Sequence, residues 1–136
     1  MHLLESGMHI PHIAGHEISG YLSDGSPVVI EPLTYCGSCQ ECKEGKYNLC
    51  SSKEFNILGA TTDGGMTEKM IVPEHCIVKL NKNMNVKDSS LVEPIAVAVH
   101  GYKITKTNSK DTIAVVGGGS IGQCAVIAGY SMGCKV

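Results

Sequence analysis

The sequence predicts an α+β chain of two unlike parts, a β-rich half followed from about residue 88 by an α/β half. Three observations carry this. Before residue 88, short extended stretches alternate with glycine-rich turns. After it, two apolar stretches long enough for helices flank one continuous apolar strand. Between the early strands, four cysteines crowd into the fifteen residues from Cys36 to Cys50, which marks a lobe held by something other than a hydrophobic core.

Taken in order, residues 17–22, 27–31, 66–72 and 76–80 read as strands. Turn signals at Ser23-Asp24-Gly25 and Asp63-Gly64-Gly65 separate them. Residues 89–105 are largely apolar with two breakers, Pro94 and Gly101, and the proline is expected at the first position of a helix, where its missing N–H costs nothing. His100, Tyr102 and Lys103 then fall on the later turns. Residues 111–116 predict a buried strand, because Ile113-Ala114-Val115-Val116 is continuously apolar in the manner of parallel sheets covered on both faces. A helix over about 120–132 follows.

Length and charge narrow the function classes. A chain of 136 residues suffices for one domain that buries about two thirds of its unfolded surface. Eleven basic and thirteen acidic residues give a net charge of -2, with no basic stripe and only five tyrosines and one phenylalanine, so a nucleic-acid partner is not expected. No apolar run reaches the length of a membrane span, and no repeat or lipidation signal is present. Seven cysteines are an odd number and the N-terminus carries no signal-peptide pattern, which argues against a disulfide framework and for the cytoplasm. Cys76, Cys124 and Cys134 lie in apolar surroundings and are expected as buried thiols.

The cysteine lobe reads Cys36-x2-Cys39-x2-Cys42-x7-Cys50. Two-residue gaps let three sulfurs converge from a tight loop, and the longer gap, holding Gly45, lets the chain return with the fourth. Four thiolates leave no open coordination position, so the pattern predicts structural zinc. The first three cysteines also fit the start of a ferredoxin-type cluster run, but Cys50 stands too far along and is followed by Ser51, not proline.

Two further motifs bear chemistry. Gly117-Gly118-Gly119-Ser120-Ile121-Gly122 satisfies G-x-G-x-x-G between a predicted strand and a predicted helix. Gly117 permits the tight turn, Gly119 lets the backbone approach a pyrophosphate, and Gly122 allows close helix–strand packing, with the helix N-terminus facing the phosphate charge. A glycine-rich turn without a ligand is the competing reading. The acidic residue that would separate NAD from NADP is expected about 20 residues further on, past Val136. The other motif is Gly15-His16-Glu17, preceded by Pro11-His12-Ile13-Ala14. A neutral His16 imidazole suits zinc, and Glu17 supplies a carboxylate if Gly15 turns the backbone; a surface histidine is the alternative. Glu93, just before Pro94, is favoured in its ionised form at a helix start, and in isolation is simply a helix-start acid.

In order and spacing, and over essentially the whole chain, these stretches resemble the zinc-dependent medium-chain alcohol dehydrogenases. Gly15-His16-Glu17 resembles the catalytic-zinc motif, Cys36 to Cys50 the structural-zinc lobe (about 35–52), and Asp63-Gly64-Gly65-Met66-Thr67-Glu68 the turn and strand after it. Val92-Glu93-Pro94 with the apolar run to His100 is similar to the polyol branch, sorbitol and butanediol dehydrogenases and their sugar-phosphate relatives, where Glu replaces a ligand cysteine. The resemblance implies a partial GroES-like β-barrel over 1–93 and the linking helix and first strand-loop-helix of a Rossmann domain over 94–136. It implies reversible hydride transfer between a secondary alcohol, polyol or sugar alcohol and NAD or NADP, with zinc as Lewis acid. His16 is then a direct ligand, Glu93 a ligand or close carboxylate, and Glu17 a near-zinc carboxylate. Gly117, Gly119, Ser120, Ile121 and Gly122 would hold the cofactor, and the full-length enzyme would be a homo-oligomer.

One departure stands out. The catalytic cysteine of a Cys-x-x-Asp-x-His segment would fall before Met1, with His2 as the segment's last residue, and the neighbouring proton-relay hydroxyl is absent too. The expectation is therefore an internal fragment, inactive alone, that binds zinc tightly only at the cysteine lobe. Two other functions compete. A non-catalytic zinc-binding interaction module would explain the cysteines but not the glycine loop. A zinc-independent NAD(P)H reductase of the same superfamily would not need His16 and Glu93.

Overall fold

The structure, a computed structural model, describes residues 10–136; His2 lies outside the described residues. The chain separates after Ser90 into two compact units.

The first unit is built on a three-stranded antiparallel sheet. Strands β1 (Ile18–Tyr21) and β2 (Pro27–Ile30) form a hairpin in the register Ile18 opposite Ile30, and β5 (Ile77–Lys79) pairs on the other side of β2, giving the order β1-β2-β5. The hairpin turn forms where the sequence predicts it. Gly25 takes φ +81, and Asp24 Oδ1 accepts the amide of Ser26 at 2.9 Å, a bond that holds the Asp24 carboxyl below its usual range. Two short strands, β3 (Leu33–Thr34) and β4 (Asn56–Ile57), make a second antiparallel pair, and the cysteine lobe is the insertion between them.

Burial follows the period of two. Val28 and Ile30 point into the core with Leu58 and Cys76, flanked by Ile18, Leu22, Met70, Val72 and Ile77. Val29 points the other way and is buried as well. Its cross-strand partner Ser19 explains why, because Ser19 Oγ donates to the carbonyl of Val86 at 2.7 Å and so brings helix α2 (Val86–Ser89) onto that face. Strand β2 is thus covered on both sides, which is what its unbroken apolar run requires. Each of these buried aliphatic side chains contributes about 1.5–3 kcal/mol.

The predicted strand over 66–72 does not form. Residues 65–68 bend, and beyond them Met70 and Val72 pack on the core while Ile71 points fully outward. The alternation is therefore present only over 70–72, since 66–69 are all exposed, and among the described residues no neighbouring strand pairs with the segment. A ladder needs a partner, and side-chain period alone does not supply one.

In the second unit, α3 (Val92–Ile104) begins earlier than expected. Pro94 is the third helical residue, not the first. That position costs nothing either, because first-turn N–H groups have no intrahelical acceptor, and the first bond runs from the amide of Ile95 to the carbonyl of Leu91 at 3.1 Å. Helix α4 (Ser120–Ser131) matches the predicted one and packs on α3, with Tyr102 donating to the carbonyl of Ala125 at 2.9 Å. Segment 111–116 is not a buried strand. Ile113 and Val115 are half-buried, Ala114 and Val116 exposed, and its pairing is a single parallel bridge from Thr112 to Lys135. One face packs on α4, where Ile113 lies against Gly129. The other face meets no covering layer among the described residues. As expected, Cys76, Cys124 and Cys134 are buried free thiols.

Candidate metal centre and nucleotide loop

The cysteine lobe is folded by short local devices. Tyr35 leads into Cys36, Gly37 at φ +68 turns the chain, and Cys39 precedes α1 (Gln40–Lys43), whose Lys43 amide bonds back to the Cys39 carbonyl at 3.1 Å. Gly45 ends that turn of helix, its amide reaching the Cys42 carbonyl at 3.0 Å, and a 3-10 turn at Tyr47–Leu49 delivers Cys50. The sulfurs of Cys39 and Cys50 stand 3.9 Å apart, those of Cys50 and Cys36 3.7 Å. All four lie within 4.8 Å of one another. A tetrahedral ion with bonds of about 2.3 Å requires sulfur separations of about 3.8 Å, so the donor set fits zinc in kind and in spacing.

The surroundings of the sulfurs also suit a cation. The amides of Ser38 and Cys39 both point at Cys36 Sγ, each at 3.4 Å. Hydrogen bonds from Ser38, side chain and backbone, and then from Cys39 pull the Cys36 thiol down to about 6. Burial, followed by the hydrogen bond with Cys39, pushes Cys42 up to about 12. Cys36 thus takes a negative charge ahead of Cys42, and a divalent cation is what would release the Cys42 proton.

An aromatic stack unforeseen from the sequence ties the lobe to the sheet. Tyr35 stacks on Tyr47 at 4.8 Å between ring centroids, and on its other side meets His75 at 4.2 Å. His75 belongs to the 3-10 turn Glu74–Cys76 that leads into β5. Interaction with Glu31, the residue after β2, raises the Tyr47 phenol. Three residues far apart in sequence make this contact, so no local pattern announces it.

His16 and Glu17 are exposed and stand immediately before β1. What positions them is a glycine packing that sequence reading caught only in part. Gly15 has φ +99, and a methyl on Gly59 would run into the Gly15 carbonyl, as would one on Gly64. Three amides of the Asp63-Gly64-Gly65 turn region then bind the three carbonyls before His16: Gly64 to Ile13 at 2.7 Å, Met66 to Ala14 at 3.0 Å, and Gly65 to Gly15 at 2.8 Å. Gly15 and the Asp-Gly-Gly turn were legible as motifs; Gly59 was not, since nothing near it in sequence marks a close approach. Glu93 belongs to the second unit, in the first turn of α3 as expected.

The glycine loop is likewise built as its pattern predicts, with one change of detail. Gly117 takes φ +111, and Gly119 is the cap of α4. No atom lies within 4 Å of a methyl built on Gly118 or Gly119, so the backbone face there is open. Gly122 is required because a methyl would strike the Gly117 carbonyl, with Val115 only next in line. Ser120 and Ile121 fill the first turn, whose amides have no intrahelical acceptor, and a groove of about 410 Å³ lies along Gly117, Gly118, Gly122 and Gln123 and the apolar Val115, Val126 and Ile127. An anion fits that end.

Comparison with known proteins agrees with this geometry. The family described as alcohol dehydrogenase GroES-like domain matches residues 1–82. Sorbitol dehydrogenase of Bacillus subtilis is 31% identical over 133 residues, covering 90% of this chain and 37% of its own. The crystal structure of galactitol-1-phosphate dehydrogenase from Escherichia coli superimposes with a TM-score of 0.86 at 29% identity, over 96% of this chain and 40% of that one. An alcohol dehydrogenase from Escherichia coli CFT073, solved with NADH, gives 0.84 at 26% identity, over 98% and 42%. The chain thus spans about two fifths of the length of such relatives. On the match of residues 1–82, joined to a β-rich unit that carries a four-sulfur lobe, the chain belongs to the alcohol dehydrogenase GroES-like family.

Proposed function

We propose that this chain is the part of a zinc-dependent polyol dehydrogenase that carries the structural metal, the histidine of the catalytic metal and the first turn of the cofactor site. The observation that supports it best is the four-sulfur lobe with tetrahedral spacing, inserted in a GroES-like unit. Residues 1–93 act as catalytic-domain sequence with the lobe at about 35–52. Residues 94–136 act as the linking helix and the start of a Rossmann nucleotide domain.

Each residue has a distinct task on this reading. Cys36, Cys39, Cys42 and Cys50 hold a zinc ion that braces the lobe. His16 offers an imidazole nitrogen to a second zinc ion, while Glu17 and Glu93 balance its charge with carboxylates. Gly117, Gly119, Ser120, Ile121 and Gly122 receive the cofactor's phosphates on open backbone and first-turn amides. When bound, the second metal and the nicotinamide cofactor supply Lewis acidity toward an alcohol oxygen and a hydride acceptor. The substrate class is a secondary alcohol of a polyol or sugar alcohol, phosphorylated ones included, and the compartment is the cytoplasm, where seven unbridged thiols persist. Among the described residues no helix is long and apolar enough to cross a membrane.

Cofactor binding tests this directly. NADH bound to the zinc-loaded chain should show enhanced emission, cleanly visible because the sequence has no tryptophan. Gly119→Val should abolish the signal by filling the open face. Emission that never responds to the chain, or is unchanged by Gly119→Val, would remove the nucleotide half of the proposal.

A further inference from the structure

The network before His16 contains two side chains among backbone groups. Asp63 Oδ1 accepts the amide of Ile13 at 2.9 Å, and His12 Nδ1 stands 3.5 Å from the same oxygen. The His12 ring is nine-tenths buried, whereas the Asp63 side chain is largely open to solvent. The carboxylate therefore clamps the chain three residues upstream of His16, at the end of the rung where Gly64, Gly65 and Met66 bind Ile13, Gly15 and Ala14. The glycines allow this close approach but specify register only weakly, as glycine-rich pairs do. Asp63 and the buried ring beside it supply the selection.

We propose that Asp63 is a positioning residue for His16, fixing through Ile13 where Gly15 turns and hence where the imidazole is presented. This rests on the reading of His16 as a metal ligand, and it adds a residue to that site which touches no metal. Loss of an outer partner that bonds a ligand directly typically costs a metal site about 10- to 100-fold in affinity, which sets the scale for a clamp that acts through Ile13.

The test uses the whole chain, with the four-cysteine lobe first filled with zinc and cobalt(II) then titrated in. Cobalt held by nitrogen and oxygen lacks the sulfur charge-transfer bands it would show in the lobe. Amide exchange at Gly64 and Met66 is followed in parallel on metal-free His16. Asp63→Ala should weaken cobalt binding about 10- to 100-fold and speed both exchanges. Asp63→Asn keeps an acceptor oxygen for Ile13 and should track the unsubstituted chain. Unchanged cobalt affinity in Asp63→Ala would overturn the proposal, and so would an Asp63→Asn chain as impaired as Asp63→Ala. Should the unsubstituted chain take up no cobalt beyond the lobe, the metal reading of His16 fails, and the exchange rates alone decide on Asp63: faster in Asp63→Ala supports the clamp, unchanged refutes it. An Asp63→Ala chain that does not fold leaves the decision to Asp63→Asn on the same measures.

Discussion

A methyl group at Gly59 would collide with the Gly15 carbonyl, and the residue also sits at φ +77. Both penalties act at once, so Gly59→Ala is expected to cost on the order of 3 kcal/mol. Gly25, at φ +81 with open space around it, isolates the backbone term, and Gly25→Ala should cost only about 1–2 kcal/mol. Urea unfolding of the two variants separates crowding from conformational strain; equal losses would contradict the packing described. Cys36 offers a second residue-scale test. The fold depresses its pKa to about 6, so the stability this thiolate contributes is present above the ordinary thiol range and is lost as pH falls through about 6. In the metal-free chain iodoacetamide should therefore modify Cys36 well before Cys42 at neutral pH, with a rate that drops below about pH 6. Zinc should suppress the reaction. At this scale the convergence of the four cysteines was legible, because short spacings are local. Gly59, Tyr35 and the bond from the Ile13 amide to Asp63 were not, since each joins partners distant in sequence.

Elements were readable wherever their hydrogen bonds are satisfied nearby. Helices α3 and α4 and the β1-β2 hairpin close on themselves within a few residues, and all three form where expected, with α3 starting two residues ahead of Pro94. Residues 70–72 and 113–116 alternate inward and outward without a ladder, whereas a full strand over 66–72 and one buried on both faces over 111–116 were expected, since pairing and cover depend on elements elsewhere in the chain. The stack of Tyr47, Tyr35 and His75 makes a prediction of its own about elements. It joins the lobe to the turn before β5, so metal binding should stabilise the sheet as well as the lobe. Tyr35→Leu should cut the zinc-dependent gain in unfolding free energy by about 0.5–1.5 kcal/mol. An undiminished gain would show that the lobe and sheet are joined by other contacts.

On the scale of the molecule, apolar surface and sheet edges are left uncovered among the described residues. Strands β1 and β5 are the two edges of the three-stranded sheet, and Ile71 and Val116 are fully exposed. Such edges pair readily with other chains, so sedimentation should show a mass that rises with concentration, where a sharp monomer at all concentrations would contradict it. The central claim, however, concerns the four sulfurs of Cys36, Cys39, Cys42 and Cys50, whose spacing fits a tetrahedral ion. Metal analysis of the purified chain, with the spectrum of its cobalt-substituted form, tests this most directly. The expected result is one tightly held zinc per chain, replaced by cobalt with intense sulfur-to-metal bands that disappear in Cys36→Ser. A chain that retains no metal, or one that carries an iron–sulfur chromophore instead, would contradict it.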